Sequence, residues 1–468
     1  MTAPASAREA LALVTDDFTE LPFAEGPSGG DGPIGWPGYD RSRAAAAARS
    51  GEAESVVCGT GTVGGTRTVL VSFEFGFLGG SIGEGAGARV AAAHAHARAR
   101  RLPVTVLLAT GGSRMHEGMR ALVQLQRLAG ESALTRAAGL PQLAVLRDPT
   151  TGGGWATLGA GSDVVLALPG AQVGFAGSRV RPPDADPAAY TAASQFAHGH
   201  VDAVVPAERL REVLGRWLSL LTRPAAGPVP PPYALGSTAP AASGREAVAR
   251  ARRPERPRAD RYLAEVFTER AELSGDRAGG TDPGTRCGFG RLPDGRTAAY
   301  AAQCGTATRP AGFRTAARLV RLADRLGIPV LTLIDTPGAA NDAEAERAGA
   351  GPAIAELFGA VAEARVPVTA LLVGEGGSGG ALALAAPGNT WATPDSYFSV
   401  IAPELAAAIL KRPPEEADAT ADRLRLRPED LVALGVGFVF PVPTRSTCDP
   451  DQRQRHLAHP GGVQQAQG

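Results

Sequence analysis

The sequence has few cysteines, no excess of charge of either sign and no long apolar run. Its four cysteines are isolated and form no Cys-x-x-Cys pair: Cys58, Cys287, Cys304 and Cys448. This spacing argues against a disulfide framework and against a zinc ribbon, so no zinc is expected. Cysteines that are isolated in this way also favour a reducing cytoplasm as the location of the protein.

Charge and hydropathy exclude two further classes of partner. Lys and Arg together number 47, as do Asp and Glu, so the formal net charge is zero. A neutral chain has no basic field to attract a nucleic acid or an anionic membrane. No apolar run approaches the roughly 20 residues of a membrane span, and no signal-peptide pattern is visible. We therefore expect no nucleic-acid partner and no membrane partner.

The length of 468 residues predicts about two domains. Short apolar strands alternate with helical stretches on both sides of a segment that holds six prolines, which is typical of two α/β layers joined by a linker. The predicted bounds are a lead-in of residues 1–50 with a helix at 7–14, a first domain of 51–222, a Pro/Ala-rich linker of 223–244, a second domain of 245–445 and a disordered tail of 446–468.

An internal duplication is the most informative pattern, because it bears on architecture as single motifs do not. Pro103 and Pro329 open corresponding strands at a fixed offset in the numbering (329 − 103 = 226). The same offset relates Gly112 to Gly338 (338 − 112 = 226) and Gly153 to Gly379 (379 − 153 = 226). Each copy is predicted to run helix, strand, glycine turn, helix, strand, glycine pair, helix.

The glycine turns indicate a site for oxyanions. Two strands in each copy end in a glycine turn that opens a helix, and such turns line one edge of a parallel sheet, where N–H groups and positive helix ends converge. Glycine also allows the main chain to approach a ligand closely. Two holes per chain are therefore predicted, and a set of merely tight turns is the alternative. The first hole has Gly111, Gly112, Gly152 and Gly153, and the second has Gly338, Ala339, Gly379 and Gly380.

Several motifs resemble the bacterial acetyl-CoA carboxylase carboxyltransferase family, with its β and α subunits fused in that order. The first half resembles the β subunit through WPGYD (36–40), FEFGFLGGSIG (73–83), TGGSRMHEG (110–118), DPTTGG (148–153) and GFAGSRV (174–180). The second half resembles the α subunit through RPAGFRTAARLVRLADR (309–325), IPVLTLIDTPGA (328–339), GEGGSGGALALA (374–385) and SVIAPELAAAIL (399–410).

The resemblance implies an α/β fold of two tandem crotonase-like domains, of the ClpP/crotonase ββα-superhelix type. It implies carboxyl transfer from carboxybiotin on a carrier protein to acetyl-CoA, giving malonyl-CoA, without a side-chain base. Gly111, Gly112, Gly152 and Gly153 would then face the acyl-CoA, and Gly338, Ala339, Gly379 and Gly380 would face biotin. Phe175, Ala176 and Gly177 of the GFAG motif would bind substrate.

The resemblance also implies partners. A separate biotin carboxylase and a biotin carboxyl carrier protein are expected, together with a homodimer or a higher even homo-oligomer whose active sites combine halves of two protomers. Arg114 and Arg179 follow glycine turns and are candidates for contacts with CoA phosphates, with an ordinary salt bridge as the alternative. The chain departs from the family in lacking the zinc ribbon of the β subunit, in Ser178, and in the segments 181–200 and 340–351.

Other patterns leave alternatives open. Residues 59–64 satisfy G-x-G-x-x-G, but the next segment is a strand by composition, which favours a hairpin turn. Residues 376–380 satisfy G-x-S-x-G, as in a nucleophile elbow, although the only later histidines are His456 and His459. A biotin-independent malonyl-thioester decarboxylase or hydrolase and a catalytically silent scaffold subunit are therefore the alternative functions.

Overall fold

The computed structural model describes residues 6–23, 30–224 and 227–442. The predicted tail of 446–468 lies outside these ranges. By their contacts the described residues fall into two compact units. The first lies within Met1–Ala226, Glu269–Ala299 and Ala311–Pro329, and the second within Gly227–Thr268, Tyr300–Pro310 and Val330–Gly468. None of the described helices is long and apolar enough to cross a membrane.

The first half of the chain, up to residue 221, alternates strands and helices as the sequence predicts. Its elements are α1 (Ala7–Val14), β1 (Asp17–Glu20), α2 (Tyr39–Ser50), β2 (Val56–Val63), β3 (Thr66–Phe73), α3 (Glu84–Arg100), β4 (Val104–Thr110), α4 (Gly118–Ala137), β5 (Gln142–Thr151), α5 (Gly152–Gly154), β6 (Val164–Ala167), β7 (Val173–Gly174), α6 (Ala192–Ala197), β8 (Ala203–Val204) and α7 (Leu210–Leu221).

The second half, from residue 244 on, follows the same plan. Its elements are α8 (Gly244–Ala251), α9 (Ala259–Val266), β9 (Glu269–Leu273), β10 (Thr285–Arg291), β11 (Thr297–Gln303), α10 (Pro310–Leu326), β12 (Val330–Thr336), α11 (Ala343–Arg347), α12 (Ala350–Glu363), β13 (Val368–Gly377), α13 (Ser378–Leu382), β14 (Thr390–Ala392), β15 (Tyr397–Ser399), α14 (Pro403–Ile409), α15 (Ala417–Arg423), α16 (Pro428–Ala433) and β16 (Phe438–Val439).

The two sheets have the same topology. The first has the order β1-β2-β3-β4-β5-β6-β8 with β7 paired to β5, and the second has β9-β10-β11-β12-β13-β14-β16 with β15 paired to β13. Strands β4 and β12 keep the offset of the duplication at both ends (330 − 104 = 226 and 336 − 110 = 226), and so do β5 and β13 and helices α3 and α10. Both β4–β5 and β12–β13 are parallel and break register after Leu108 and Ile334. The predicted α/β fold is confirmed.

Buried strands form the core of the first unit. Every residue of β4 is buried, as expected for a parallel strand that has layers on both of its faces. Ala86, Val90, Ala93 and Ala97 repeat along α3 at helical spacing and belong to the same cluster. Alanine at three of these four positions allows α3 to pack closely on β2 and β3.

The hairpin predicted at residues 59–64 is confirmed, since β2 and β3 pair antiparallel, but its turn lies only at the end of this segment. Gly59 and Gly61 are inside β2, where a Cβ would collide with Phe18 or with the main chain of β1. The turn itself is formed by Gly64 and Gly65, which have φ of +54° and +79°. The strand predicted to follow, β3, is confirmed. The early glycines therefore serve close packing between strands.

Residues 269–299 and 311–329 belong by contact to the first unit, although the sequence predicts them in the second domain. Ion pairs within the first unit explain this. Arg318 binds the fully buried Asp202, and Arg325 binds Asp163 at 2.6 Å. Helix α10 therefore packs through its arginines on carboxylates that precede the linker.

The buried His94 makes the stability of the first unit depend on pH. It is 1 % exposed on α3, and its Nδ1 lies 3.0 Å from Thr135 Oγ1 on α4. Burial lowers the pKa of His94 to about 4. Because the unfolded pKa is higher, about 6.5, the unfolded state binds more protons in this window. Stability is therefore complete above the unfolded pKa and is lost as the pH falls towards the folded pKa.

We expect the free energy of unfolding of the wild type to fall by about 1 kcal/mol more than that of His94→Gln between pH 7.5 and 5.5. Urea unfolding at both pH values measures the difference. His96→Gln, on the same helix and only partly buried, is the control. Equal pH dependence of the wild type and His94→Gln would contradict the expectation.

Candidate functional site

The two glycine turns of the first copy lie against each other. They follow β4 and β5, which are parallel neighbours, so both turns are at one edge of the sheet. A Cβ placed on Gly152 would lie 3.0 Å from the Cα of Gly112, and one on Gly112 would lie 3.6 Å from the amide nitrogen of Gly153. A side chain on Gly152 would therefore need the Gly112 turn to give way, whereas one on Gly112 would make ordinary contacts but would be strained by its φ of +101°.

Hydrogen bonds fix the first of these turns and use two of the predicted donors. The amide of Gly111 donates to the carbonyl of Gly79 at 2.8 Å, and that of Gly112 donates to Thr110 Oγ1 at 3.1 Å. The predicted donor roles of Gly111 and Gly112 are therefore corrected, because both amides are already bonded within the protein.

The next residue, Ser113, keeps its amide available. It forms a parallel bridge with Ile82, in which the Arg114 amide donates to the Ile82 carbonyl and the Ile82 amide donates to the Gly112 carbonyl. Alternate residues face the neighbour in such a bridge, so the amide of Ser113 points away from Ile82. Among the described residues it has no hydrogen-bond partner.

The second turn offers one N–H group in the same way. The amide of Gly152 donates to the carbonyl of Phe175 at 3.0 Å, which removes Gly152 from the predicted donors. Gly153 is the second residue of α5, where a helix amide has no partner within its own helix. Of the residues predicted as donors in this copy, Gly153 keeps an available amide, and Ser113 adds a second one from the facing turn.

The segment predicted to bind substrate borders this turn. Phe175 is 74 % exposed, which is unusual for an aromatic side chain, and its carbonyl holds Gly152. The carbonyl of Ala176 accepts a hydrogen bond from Arg181 Nε at 3.1 Å, and a Cβ on Gly177 would lie 3.5 Å from Thr151 Oγ1. These three residues therefore form an accessible wall beside the Gly153 amide.

The second copy repeats the arrangement at the offset of the duplication. The Gly338 amide donates to Thr336 Oγ1 at 3.1 Å, as Gly112 does to Thr110. Ala339 forms a parallel bridge with Thr308, as Ser113 does with Ile82. The amides of Ala339 and Gly379 correspond to those of Ser113 and Gly153. In this copy the two residues with available amides, Ala339 and Gly379, are among those predicted from the sequence.

A left-handed backbone occurs at equivalent positions of the two second turns. Gly152 has φ of +65° and Ser378 has φ of +56°. Because both copies need this conformation where the strand turns into the helix, the conformation of Ser378 follows from the turn and does not require a nucleophilic role. No histidine lies between residues 227 and 442, so the described second unit offers no histidine base for a Ser-His-Asp hydrolase.

Asp335 joins the two turns of the second copy. It is fully buried, its Oδ1 accepts a hydrogen bond from the Glu375 amide at 3.1 Å, and it pairs with Arg256 at 2.5 Å. Burial raises the pKa of Asp335, against the lowering effect of Arg256. The carboxylate thus links the strand before one turn to the strand before the other.

Arg114 has a structural role, which corrects its predicted contact with CoA phosphates. Its side chain is 1 % exposed and binds the buried carboxylates of Glu54 and Glu117. Burial opposes the charge on Arg114, but the attraction of Glu54 outweighs that effect and raises the pKa of Arg114. A guanidinium enclosed in this way does not reach a phosphate in solvent. The alternative of a salt bridge applies, and it anchors the turn that carries Ser113.

Tyr39 completes this buried cluster. Its hydroxyl donates to Glu117 Oε1 at 2.5 Å and accepts from Arg114 at 3.2 Å. Because hydrogen bonds to charged groups contribute about 1.5 to 3 kcal/mol, we expect Tyr39→Phe to lower the free energy of unfolding by about that amount. Tyr190→Phe is the matched control, since Tyr190 contacts Arg181 through its ring. Equal losses in urea unfolding of the two variants would contradict this role.

The structure also places Arg179, the other candidate for CoA phosphates, and His116, which follows the first glycine turn. His116 packs between Trp36 and Tyr39, with ring centroids 5.5 and 5.2 Å away, so its ring is part of an aromatic stack. Arg179 is exposed in the short helical turn that follows Gly177. Among the described residues no group of three His, Cys, Asp or Glu could hold a metal ion.

Comparison with known proteins identifies the family. A sequence model described as acetyl co-enzyme A carboxylase carboxyltransferase-like matches residues 241–439. The chain is 40 % identical to the acetyl-coenzyme A carboxylase carboxyl transferase subunits beta/alpha of Salinispora arenicola, over 94 % of this chain and 82 % of that protein. It is 38 % identical to the protein of the same name from Saccharopolyspora erythraea, over 85 % and 73 %.

A further relative and a solved structure agree with this family. A probable biotin-dependent acyl-coenzyme A carboxylase beta3 subunit of Mycobacterium tuberculosis is 36 % identical over 85 % of this chain and 82 % of that protein. Among solved structures, the transcarboxylase 12S hexamer with hydrolysed methylmalonyl-coenzyme A bound superposes with a TM-score of 0.77 at 22 % identity, over 99 % and 92 % of the two chains. That likeness confirms the crotonase-like fold. The chain therefore belongs to the acetyl-CoA carboxylase carboxyltransferase family, with the β-like and α-like halves in one polypeptide.

Proposed function

We propose that this chain is the carboxyltransferase component of a biotin-dependent acyl-CoA carboxylase, and that it moves the carboxyl group of carboxybiotin to acetyl-CoA to form malonyl-CoA. The family relationship supports the reaction class. The observation that carries the proposal is the repeated pair of turns. In each copy one amide from each turn has no protein partner in the described ranges, so every pair offers two. Such N–H groups suit an oxygen that gains negative charge during reaction.

The first pair of amides, of Ser113 and Gly153, would hold the thioester oxygen of the acyl-CoA. As the α-carbon loses its proton, negative charge moves to this oxygen, and fixed donors stabilise it without reorganisation. The exposed Phe175 and the neighbouring Ala176 and Gly177 would contact the acyl-CoA beside the turn. The buried cluster around Arg114 would keep the Ser113 amide in place.

The second pair, of Ala339 and Gly379, would hold the ureido oxygen of biotin. The residues present fit that group, because their unbonded groups are N–H donors and the ureido oxygen is an acceptor. Carboxybiotin, when bound, supplies the carboxyl group and the base that removes the α-proton. The role left to the protein is orientation and charge stabilisation, and this agrees with the absence of histidine from the described second unit.

The partners follow from this chemistry. We propose that the biotin arrives on a biotin carboxyl carrier protein loaded by a separate biotin carboxylase, and that the chain forms an even homo-oligomer in which halves of two protomers complete each site. The isolated cysteines of the sequence fit a reducing compartment, and we propose the cytoplasm. The expectation that no zinc is required stays a prediction, which metal analysis of the purified protein would check.

The reverse reaction tests the proposal. Purified chain is given malonyl-CoA with or without free biotin, and release of acetyl-CoA is followed. Biotin-dependent release is the expected result. Release that is equal without biotin would indicate a decarboxylase or hydrolase, and no release would indicate a silent scaffold. Either outcome contradicts the proposed function.

A further inference from the structure

Gln303 is a fully buried carboxamide at the end of β11, beside the second pair of turns. Its Nε2 donates to the carbonyl of Gly380 at 3.0 Å and to Thr308 Oγ1 at 3.1 Å. The side chain is 0 % exposed. One rigid planar group therefore spans two main-chain segments that are distant in sequence.

The two partners of Gln303 belong to opposite sides of the proposed biotin oxyanion hole. Thr308 holds the turn of Ala339, because its amide donates to the Gly338 carbonyl at 3.0 Å and its carbonyl accepts from the Ala340 amide at 2.9 Å. Gly380 follows Gly379 in the first turn of α13. The position of the Gln303 amide thus affects the separation between the N–H groups of Ala339 and Gly379.

The helix itself leaves the Gly380 carbonyl available. In a regular α-helix this carbonyl would accept from the amide of Leu384. Here the Leu384 amide donates to the Ala381 carbonyl at 3.2 Å, so the short helix tightens at its end. The side chain of Gln303 supplies the donor that the helix does not, and it fixes the orientation of the Gly380 peptide.

The first copy builds the same turn without such a group. Thr308 corresponds to Ile82, since each forms the bridge to its turn (308 − 82 = 226). Strand β11 matches β3 at a slightly larger offset, because the Ala299 amide bonds Pro329 as the Val69 amide bonds Pro103 (299 − 69 = 230). Gln303, the last residue of β11, therefore corresponds to Phe73, the last residue of β3 (303 − 73 = 230). There, a Cβ on Gly154 would lie 3.5 Å from Ile82 Cδ1, which is an apolar contact. The fold therefore does not require a carboxamide at this place. A requirement that is specific to the second hole must therefore explain the glutamine.

The carboxamide also carries a free-energy cost. Gln303 Oε1 is buried and has no hydrogen-bond partner among the described residues. A buried unpaired acceptor is unfavourable, so packing alone does not explain a glutamine here. We propose that Gln303 is a positioning residue that clamps the Ala339 turn and the Gly379 turn at the spacing needed for the ureido oxygen of biotin. This inference rests on the proposed carboxyltransferase function.

The test compares two buried glutamines. Gln303→Met keeps the volume but removes both donors, and a loosened hole is expected to lower kcat in the biotin-dependent reverse reaction about 100-fold. KM for malonyl-CoA, which binds at the first hole, should change less than about 2-fold. Thr308→Val removes one arm of the clamp and should lower kcat about 10-fold.

Gln142→Met is the matched control. Gln142 is 3 % exposed and makes two hydrogen bonds to Ser132, but it lies at the start of β5, at the end of the strand opposite the turn. It should lose stability in urea unfolding as Gln303→Met does and keep the kcat of the wild type. Should the wild type lack biotin-dependent activity, the proposed function itself fails. If the wild type is active and Gln303→Met has the same kcat as Gln142→Met, the clamp is overturned. If Gln303→Met does not fold, an unchanged kcat in Thr308→Val overturns the clamp.

Discussion

Gly380→Ala is expected to lower kcat of the biotin-dependent reaction about 100- to 1,000-fold, the usual effect of losing one oxyanion donor. A Cβ on Gly380 would lie 2.5 Å from the amide nitrogen of Ala339. Real Cβ atoms do not approach so closely. The nearest atoms all belong to the main chain of Gly338 and Ala339, so the two turns must separate. The amides of Ala339 and Gly379 then no longer converge on one oxygen.

The measurement for Gly380→Ala is steady-state release of acetyl-CoA from malonyl-CoA at increasing biotin. Binding of malonyl-CoA by calorimetry should persist, because the first pair of turns is unchanged. Gly359→Ala is the control, since it lies in α12 and a Cβ there would have no neighbour within 4 Å. Wild-type kcat in Gly380→Ala would contradict a catalytic role for the second turn.

Gly152→Ala is the counterpart in the first copy, with an expected loss of kcat again of about 100- to 1,000-fold. Two effects act together. Gly152 has φ of +65°, where an alanine is strained, and its Cβ would lie 3.0 Å from the Cα of Gly112. Displacement of this turn moves the Gly153 amide away from that of Ser113, so the thioester oxygen loses its pair of donors.

The control for Gly152→Ala must carry the same backbone strain without the collision. Gly139 has φ of +72° in the loop that precedes β5, and its nearest neighbour for a Cβ is at 3.5 Å. Gly139→Ala should therefore lose stability but retain kcat when both variants are assayed with malonyl-CoA and biotin. An equal loss of kcat in Gly139→Ala and Gly152→Ala would show that backbone strain alone explains the loss.

The duplicated framework could be predicted from the sequence because it depends on repeated local signals. Proline before a strand and glycine after it recur at one offset, and the observed β4, β5, β12 and β13 keep that offset. The helix at residues 7–14 was also predictable, since Ser6 and Glu9 form a capping box. The bounds 51–222 and 245–445 stay a prediction.

The choice of amide within each turn could not be predicted. Glycine marks where the main chain approaches another segment, but whether its N–H is free depends on a distant partner. The Gly111 amide is taken by Gly79, and the Gly152 amide by Phe175. Ser113, which keeps a free amide, has no composition signal of its own. Only its match with Ala339 at the offset of the duplication (339 − 113 = 226) points to it.

Arg114 and Gln303 show the same limit for side chains. An arginine after a glycine turn suggests a phosphate ligand, yet Arg114 is enclosed by Glu54, Glu117 and Tyr39, which are far from one another in sequence. Gln303 carries no motif, and its role depends on the carbonyl of Gly380, 77 residues later. Long-range pairing of polar groups decides both cases.

The decisive measurement is a structure with a stable malonyl-CoA analogue and biotin bound. We expect the thioester oxygen about 2.7 to 3.1 Å from the amides of Ser113 and Gly153, and the ureido oxygen at the same distance from those of Ala339 and Gly379. Oxygens held instead by side chains, or by neither pair of turns, would contradict the two proposed oxyanion holes.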